Sequence, residues 1–379
     1  MRLLCKLLLI SLFLVACKKS NSPPSSPSNP VNSNYTVLFN FSGTNGANPF
    51  GDLTISGNTL YGMTSAGGTN DAGCIFSIKT DGSGYTNLFN FNGTNGETPM
   101  GSLILWENTL YGMTSAGGMG SNYDGCIFSI NTDGSGYRDL YNFNGVNGAE
   151  PFGSLTLSVG KLYGMTENGG KYGIGIIFSI DTNGTEYKDL LDFHDTNGMY
   201  PTGNLTLSGK VLYGMTSEGG KNHYGLIFSI DTDGTRYKDL LDFNGTNGAN
   251  PNGSLSLSEG ILYGITSGGT HGSGIIFSID TNGSGYTGLF NYSGTNGAGN
   301  GSLKLSGNVL YGIAGSGGNS NIFSINTDGS GYKTLYNIIQ TDVYPNGSLL
   351  FSNNVLYGMA GFPMNNSINA YGYIFSYKL

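Results

Sequence analysis

Charge, histidine, tryptophan and cysteine are all scarce in this chain, and each scarcity removes a class of function. Only 11% of its 379 residues are charged, and it carries 3 His, 1 Trp and 4 Cys. With a formal net charge of −8 there is no basic stripe to neutralise phosphates, so no nucleic-acid partner is expected. No apolar run approaches the roughly 20 residues of a spanning helix. His194, His223 and His271 lie far apart at no ligand spacing, so no metal site is legible, and no cofactor is implied. Serines occur as Phe-Ser-Ile without a nucleophile elbow or a histidine in register, so no catalytic residue can be named. What is plentiful is glycine, 65 residues, with 25 Tyr and 20 Phe. Low charge with many aromatics and glycines reads as β-structure punctuated by turns rather than disorder.

The amino terminus gives a destination. Arg2 and Lys6 supply positive charge, Leu7 to Val15 is apolar, and Leu14-Val15-Ala16-Cys17 follows. A short apolar segment ending in a small residue and cysteine reads as a lipoprotein signal peptide over 1–16, with Cys17 as the lipidated first residue of the mature chain. The Ser/Pro/Asn-rich stretch to residue 34 has little to bury and is expected to be a flexible linker, so that 17–34 tethers a folded domain over 35–379. Lys18 is not the acidic residue that retains some lipoproteins on an inner membrane, so an outer-membrane anchor is expected, on either its periplasmic or its cell-surface side. The Cys-Lys-Lys start resembles lipoproteins of Bacteroidota.

Internal repetition dominates the rest. Leu-Tyr-Gly recurs from Leu60, Leu110, Leu162, Leu212, Leu262, Leu310 and Leu356, at spacings of 46 to 52 residues. That period fits a four-stranded propeller blade and is too long for one coil of a β-helix. In the first unit the strands read as Asp52 to Ser56, Thr59 to Thr64, Cys74 to Thr80 and Tyr85 to Phe91, with Ser56-Gly57-Asn58 and Thr80-Asp81-Gly82-Ser83-Gly84 as turns. Apolar residues on both parities of the third strand (Cys74, Ile75, Phe76, Ile78) require a sheet covered on both faces, as a blade is. Tyr35 to Phe41 matches the fourth strand Tyr85 to Phe91, and Phe375 to Leu379 matches the third strand Phe76 to Thr80. The prediction is an all-β, seven-bladed propeller of four-stranded antiparallel blades, its ring closed by the amino-terminal strand completing the last blade.

The motifs Leu-Tyr-Gly-Met-Thr, the following Gly-Gly, Ile-Phe-Ser-Ile and Asp-Gly-Ser-Gly-Tyr resemble the GloVer tandem-repeat family of bacterial exported proteins. The resemblance covers residues 35 to 379 and implies exported repeat proteins joined to varied anchors, without a defined activity. A Kelch blade is a more distant likeness, with Tyr85, Tyr137, Tyr187, Tyr237, Tyr286 and Tyr332 where Kelch has tryptophan and with Gly-Gly placed later.

Other constellations read as structural. Cys74 and Cys126 share a repeat position with Ile176, Leu226 and Ile275, an apolar core site, and adjacent blades lie too far apart for a disulfide, so free buried thiols are expected. Asp231-Thr232-Asp233-Gly234 resembles the start of a calcium loop, but its counterparts are hairpin turns without the later carboxylate. Repeated methionines (Met63, Met113, Met165, Met215, Met359) suit core filling.

Alternating strands bring the post-Gly-Gly loops and the inter-blade loops to one face and the near-invariant hairpin turns to the other. The variable loops carry Asp71, Tyr123, Asp124, Tyr172, His223, Tyr224, His271 and Tyr371, which form the candidate ligand-binding set. A monomeric binding or scaffolding module for a glycan or an envelope protein is the first reading. The alternative is a polysaccharide hydrolase or lyase using carboxylates such as Glu97, Glu150, Glu167 and Glu218 gathered from separate blades.

Overall fold

A computed structural model describes residues 34–119, 124–293, 299, 301–316, 319–338, 343–344, 347–363 and 371–379. Residues 1–16, read from sequence as a signal peptide, Cys17, the expected linker to residue 33 and Tyr123 lie outside the described residues. The described chain forms seven four-stranded antiparallel sheets and one small two-stranded ribbon, Val343–Tyr344 with Phe362–Pro363. Blade 1 is typical: Thr54–Ser56, Thr59–Thr64, Cys74–Lys79 and Thr86–Asn90, paired in sequence order. These strands fall within the ranges predicted from sequence: Thr59–Thr64 matches at both ends, and the other three are one or two residues shorter.

Blade 7 is assembled from both ends of the chain. Its inner strands are Leu350–Ser352, Val355–Ala360 and Tyr373–Lys378, and its outer strand is Tyr35–Asn40, in register from Tyr35 opposite Tyr377 to Asn40 opposite Tyr373. Seven hydrophobic clusters lie between neighbouring blades, and one of them joins Phe41, Phe76 and Ile78 to Tyr357, Met359 and Ile374 across the closure. The core is therefore a series of inter-blade layers, which is why the third strands are apolar on both faces.

One aromatic step recurs around the ring. A side chain on each outer strand lies on the tyrosine that opens the next outer strand, as Phe39 on Tyr85, Phe89 on Tyr137, Tyr141 on Tyr187, Phe290 on Tyr332 and Tyr336 on Tyr35, with ring centroids 3.8 to 4.0 Å apart. The Tyr85, Tyr137 and Tyr187 hydroxyls then donate to inter-blade loop carbonyls, Tyr137 to Asn95 at 2.6 Å and Tyr187 to Asn147 at 2.7 Å, whereas Tyr35 donates to the Tyr373 hydroxyl at 3.3 Å. The position that Kelch fills with tryptophan thus carries both stacking and a hydrogen bond.

The Pro-x-Gly segments surround the axis. A Cβ built on Gly51 would lie 2.1 Å from the Gly101 carbonyl oxygen, and one on Gly101 2.2 Å from that of Gly153. The contact repeats through Gly153, Gly203 and Gly253, and Gly347 meets Gly51. Backbone rests on backbone there, so only glycine fits. One residue on, a belt of hydrogen bonds runs round the ring. Backbone N–H groups of Asp52, Ser102, Ser154, Asn204, Ser254 and Ser302 donate to the side chains of Ser102, Ser154, Asn204, Ser254, Ser302 and Ser348, at 2.5 to 3.1 Å. Ser348 N–H then donates to Asp52 Oδ1 at 2.5 Å and closes the circle.

Candidate functional site

Three regions can be weighed as a site: the axial channel, the hairpin-turn face and the loop face. The channel holds a cavity of about 170 Å³ with Asp52, Asn204, Ser254, Ser302, Lys304 and Ser348 on its wall. Its polar groups largely belong to the closing belt. Burial pushes the Asp52 carboxyl above its ordinary range, opposed by the Ser348 hydrogen bonds and by Lys304.

The turn face is saturated by its own contacts. In each Asp/Asn-x-Ser/Thr turn one side-chain oxygen accepts both the backbone N–H and the hydroxyl two residues on, as Asp81 does from Ser83 at 2.9 and 2.7 Å and Asp233 from Thr235 at 2.9 and 2.6 Å. Those bonds hold the Asp81 and Asp233 carboxyls below the usual range. Asx turns account for the calcium-like spelling, and among the described residues no group of three or more His, Cys, Asp or Glu could hold a metal ion.

The loop face is where the copies diverge, and among the described residues its exposed tyrosines stand on blades 3 and 4. Lys171 Nζ sits 5.0 Å from the centroid of the Tyr172 ring. Tyr172 meets His194 edge to face at 5.6 Å. His194 leads into the single 3₁₀ turn Asp195–Asn197 among the described residues, and Asp195 Oδ1 lies 3.0 Å from His223 Nδ1. His223 precedes Tyr224, whose ring covers Gly245. The result is a continuous ridge in which Tyr172 and Tyr224 remain 51% and 44% exposed. Its loops are anchored from below by the outer strands, Lys171 N–H to Asp192 Oδ1 at 2.5 Å and Lys221 N–H to Asp242 Oδ1 at 2.6 Å.

The other loop residues singled out by sequence fall elsewhere. Asp71 is exposed and its Oδ1 accepts the Gly67 N–H at 2.9 Å, so it shapes its own loop. Tyr371 packs against Gly43 and the closing cluster, which makes it part of the wall. His271 is exposed on blade 5, and half-buried Asp124 joins blade 2 to the next linker through its backbone carbonyl and the Glu150 N–H at 2.9 Å. Sequence reasoning passed over Lys171, His194 and Asp195. His194 and Asp195 replace the Asn-Gly or Ser-Gly that opens most inter-blade loops, and that departure from the repeat was the available signal.

Beside the ridge stands an acidic group. Burial raises the Glu167 carboxyl above its ordinary range, and the nearby charges of Glu150 and then Glu218 raise it further. Glu167 occupies the position of Ser65, Ser115, Ser217 and Ser267, whose hydroxyls instead bond the carbonyl of the residue before proline. Glu150 keeps that pre-proline place at φ 54, held by the Glu167 N–H at 3.1 Å, and its Oε2 accepts from Asn168 Nδ2 at 2.8 Å. Three of the four glutamates proposed from sequence are thus within electrostatic reach of one another, while Glu97 belongs to the linker between blades 1 and 2.

The sequence model of the Gloeobacter/Verrucomicrobia repeat matches residues 28–212, 120–322 and 212–379. The chain belongs to that repeat family. No curated protein matches it in sequence. Among solved structures, an oligogalacturonate lyase in complex with manganese is 12% identical over 91% of this chain and 93% of its own, with a TM-score of 0.56. The β-propeller domain of the Trilobed protease from Pyrococcus furiosus is 8% identical over 87% and 95%, with a TM-score of 0.52. A prolyl endopeptidase is 10% identical over 84% of this chain and 47% of its own, also at 0.52. At these identities the likeness is one of fold. The Trilobed protease domain is described as having an open velcro topology, whereas this Gloeobacter/Verrucomicrobia repeat protein pairs its two ends in blade 7.

Proposed function

We propose that this repeat protein is a cell-envelope lipoprotein, anchored to an outer membrane through Cys17, whose propeller binds a glycan through the loop face of blades 3 and 4. The observation that carries the reading is the ridge Lys171, Tyr172, His194, Asp195, His223 and Tyr224. Exposed rings interspersed with hydrogen-bonding groups suit sugar recognition by stacking and polar contacts. Lys171 and Lys221 are the loop face's basic residues, against Glu97, Glu150, Glu167, Asp195 and Glu218, so a neutral or amine-bearing glycan is favoured over a polyanionic one. A glycan array with the purified protein tests it: the combined change Tyr172→Ala, His223→Ala and Tyr224→Ala is expected to lower affinity at least tenfold, about 1.4 kcal/mol. Unchanged binding by that variant refutes the ridge.

A second reading is a polysaccharide hydrolase or lyase, favoured by the raised carboxyl of Glu167 beside Glu150 and Glu218. A carboxyl raised by burial beside other carboxyl groups is a combination that sugar chemistry uses. Turnover of any glycan by the purified protein, abolished by Glu167→Gln, supports it; unchanged turnover by that variant removes these residues from the reaction.

A further inference from the structure

We infer that the hairpin-turn face is the surface that meets the lipid bilayer, leaving the loop face directed away from it. The inference rests on the lipid-anchor reading of Cys17. Its first support is where the folded chain begins. The Asn34 carbonyl accepts the Lys378 N–H at 2.9 Å, and the Leu379 N–H donates to Asn354 in the turn between the first two strands of blade 7 at 3.0 Å. The amino-terminal strand therefore starts at the turn face, and the linker joins the propeller there. Only residues 18–34 separate Cys17 from the first strand, so the turn face is the part of the propeller attached nearest the anchor.

Charge points the same way. Of the basic residues beyond residue 34, Lys171 and Lys221 stand on the loop face and Lys304 in the channel, while the rest belong to strand ends and turns of the opposite face. Arg138, Lys188 and Lys238 reach across to turn carbonyls of the next blade, those of Asn183, Asp233 and Asn282, at 3.2, 2.6 and 2.7 Å. The carboxylates of the same turns, among them Asp181 and Asp231 in ion pairs with Lys161 and Arg236, bring this face close to neutrality. The loop face instead carries the acidic group around Glu167, which an anionic bilayer repels. Exposed large apolar side chains stand on both faces, Val159 and Trp106 at neighbouring turns of this one and Met119, Val146, Tyr172 and Tyr224 among the loops, so each face offers a site for a tryptophan probe. Tryptophan at a lipid–water boundary keeps its ring apolar and its N–H wet.

The single tryptophan makes the test direct. Full-length lipidated protein is placed on phosphatidylethanolamine/phosphatidylglycerol vesicles containing bromine-labelled lipid, and tryptophan quenching is measured. Trp106 is expected to be quenched at least threefold more than a tryptophan moved to the loop face by Trp106→Phe with Val146→Trp, a site 80% exposed. Trp106→Phe with Val159→Trp should quench like the native chain. Equal or stronger quenching at residue 146 in protein whose Cys17 is acylated by mass spectrometry overturns the orientation alone. An unacylated Cys17 overturns the anchor, and the orientation with it.

Discussion

Asp189 and Asp192, and again Asp239 and Asp242, stand three residues apart on the outer strands of blades 3 and 4, where blades 1 and 2 use an amide donor. Asn87 Nδ2 donates to Asn90 at 3.0 Å, and Asn142 Nδ2 to Asp139 at 2.8 Å. Without that donor the paired carboxyls need a proton between them. Asp189 and Asp239 are pushed up to about 6, first by burial and then by their partner's charge. A folded-state value above the ordinary 3.8 means the folded protein holds its proton more tightly. The associated stability is full below about pH 4 and is lost as pH rises through about 6. The melting temperature should accordingly fall between about pH 4 and 6, and Asp189→Asn with Asp239→Asn should flatten that fall; an unchanged pH profile would refute the shared protons. At the axis, Asp52→Ala removes the acceptor that closes the belt and should cost about 1–2 kcal/mol, whereas Asp52→Ser restores the group used by the other blades and should cost much less. Gly153→Ala should lower the melting temperature by several degrees, because its Cβ would meet a backbone oxygen at 2.3 Å.

The element that matters most is the strand Tyr35–Asn40. It fills the edge of Tyr373–Lys378 and brings Phe39 onto Tyr85 and Tyr35 onto Tyr336, so it seals two inter-blade layers at once. Deleting residues 35–41 should strip both layers and sharply lower thermal stability; an unaltered melting temperature would contradict closure. The origin of this strand was legible because its spelling repeats that of residues 85–91. The ridge was less so. Tyr172, His223 and Tyr224 were visible as departures in the loops, but Tyr172 meets His194 and His223 meets Asp195 through a linker 22 and 28 residues away in sequence. Asp71 and Tyr371 looked equivalent in the sequence and proved to be loop support and wall, since no periodicity says which polar group a neighbouring loop will occupy.

For the whole molecule, closure makes the position of the chain ends incidental. Leu379 stands where Thr80 stands in blade 1, and Asn34 lies beside Lys378. A circular permutant that joins Leu379 to Tyr35 through Asp-Gly-Ser-Gly and begins at Ser42 gives blade 7 the ordinary hairpin. It should melt within a few degrees of the parent, as followed by circular dichroism; failure to fold would mean that the break in blade 7 is itself required.

The sequence alone determined the number of blades, their strand order and the source of the last strand, because these follow from a repeated pattern of apolar residues and turns that each copy must satisfy locally. The tertiary structure decided the axial belt, the aromatic steps between blades and the grouping of Glu150, Glu167 and Glu218. Those contacts join residues about fifty apart or drawn from different loops, and they exist only once the ring sets the distance and angle between one blade and the next.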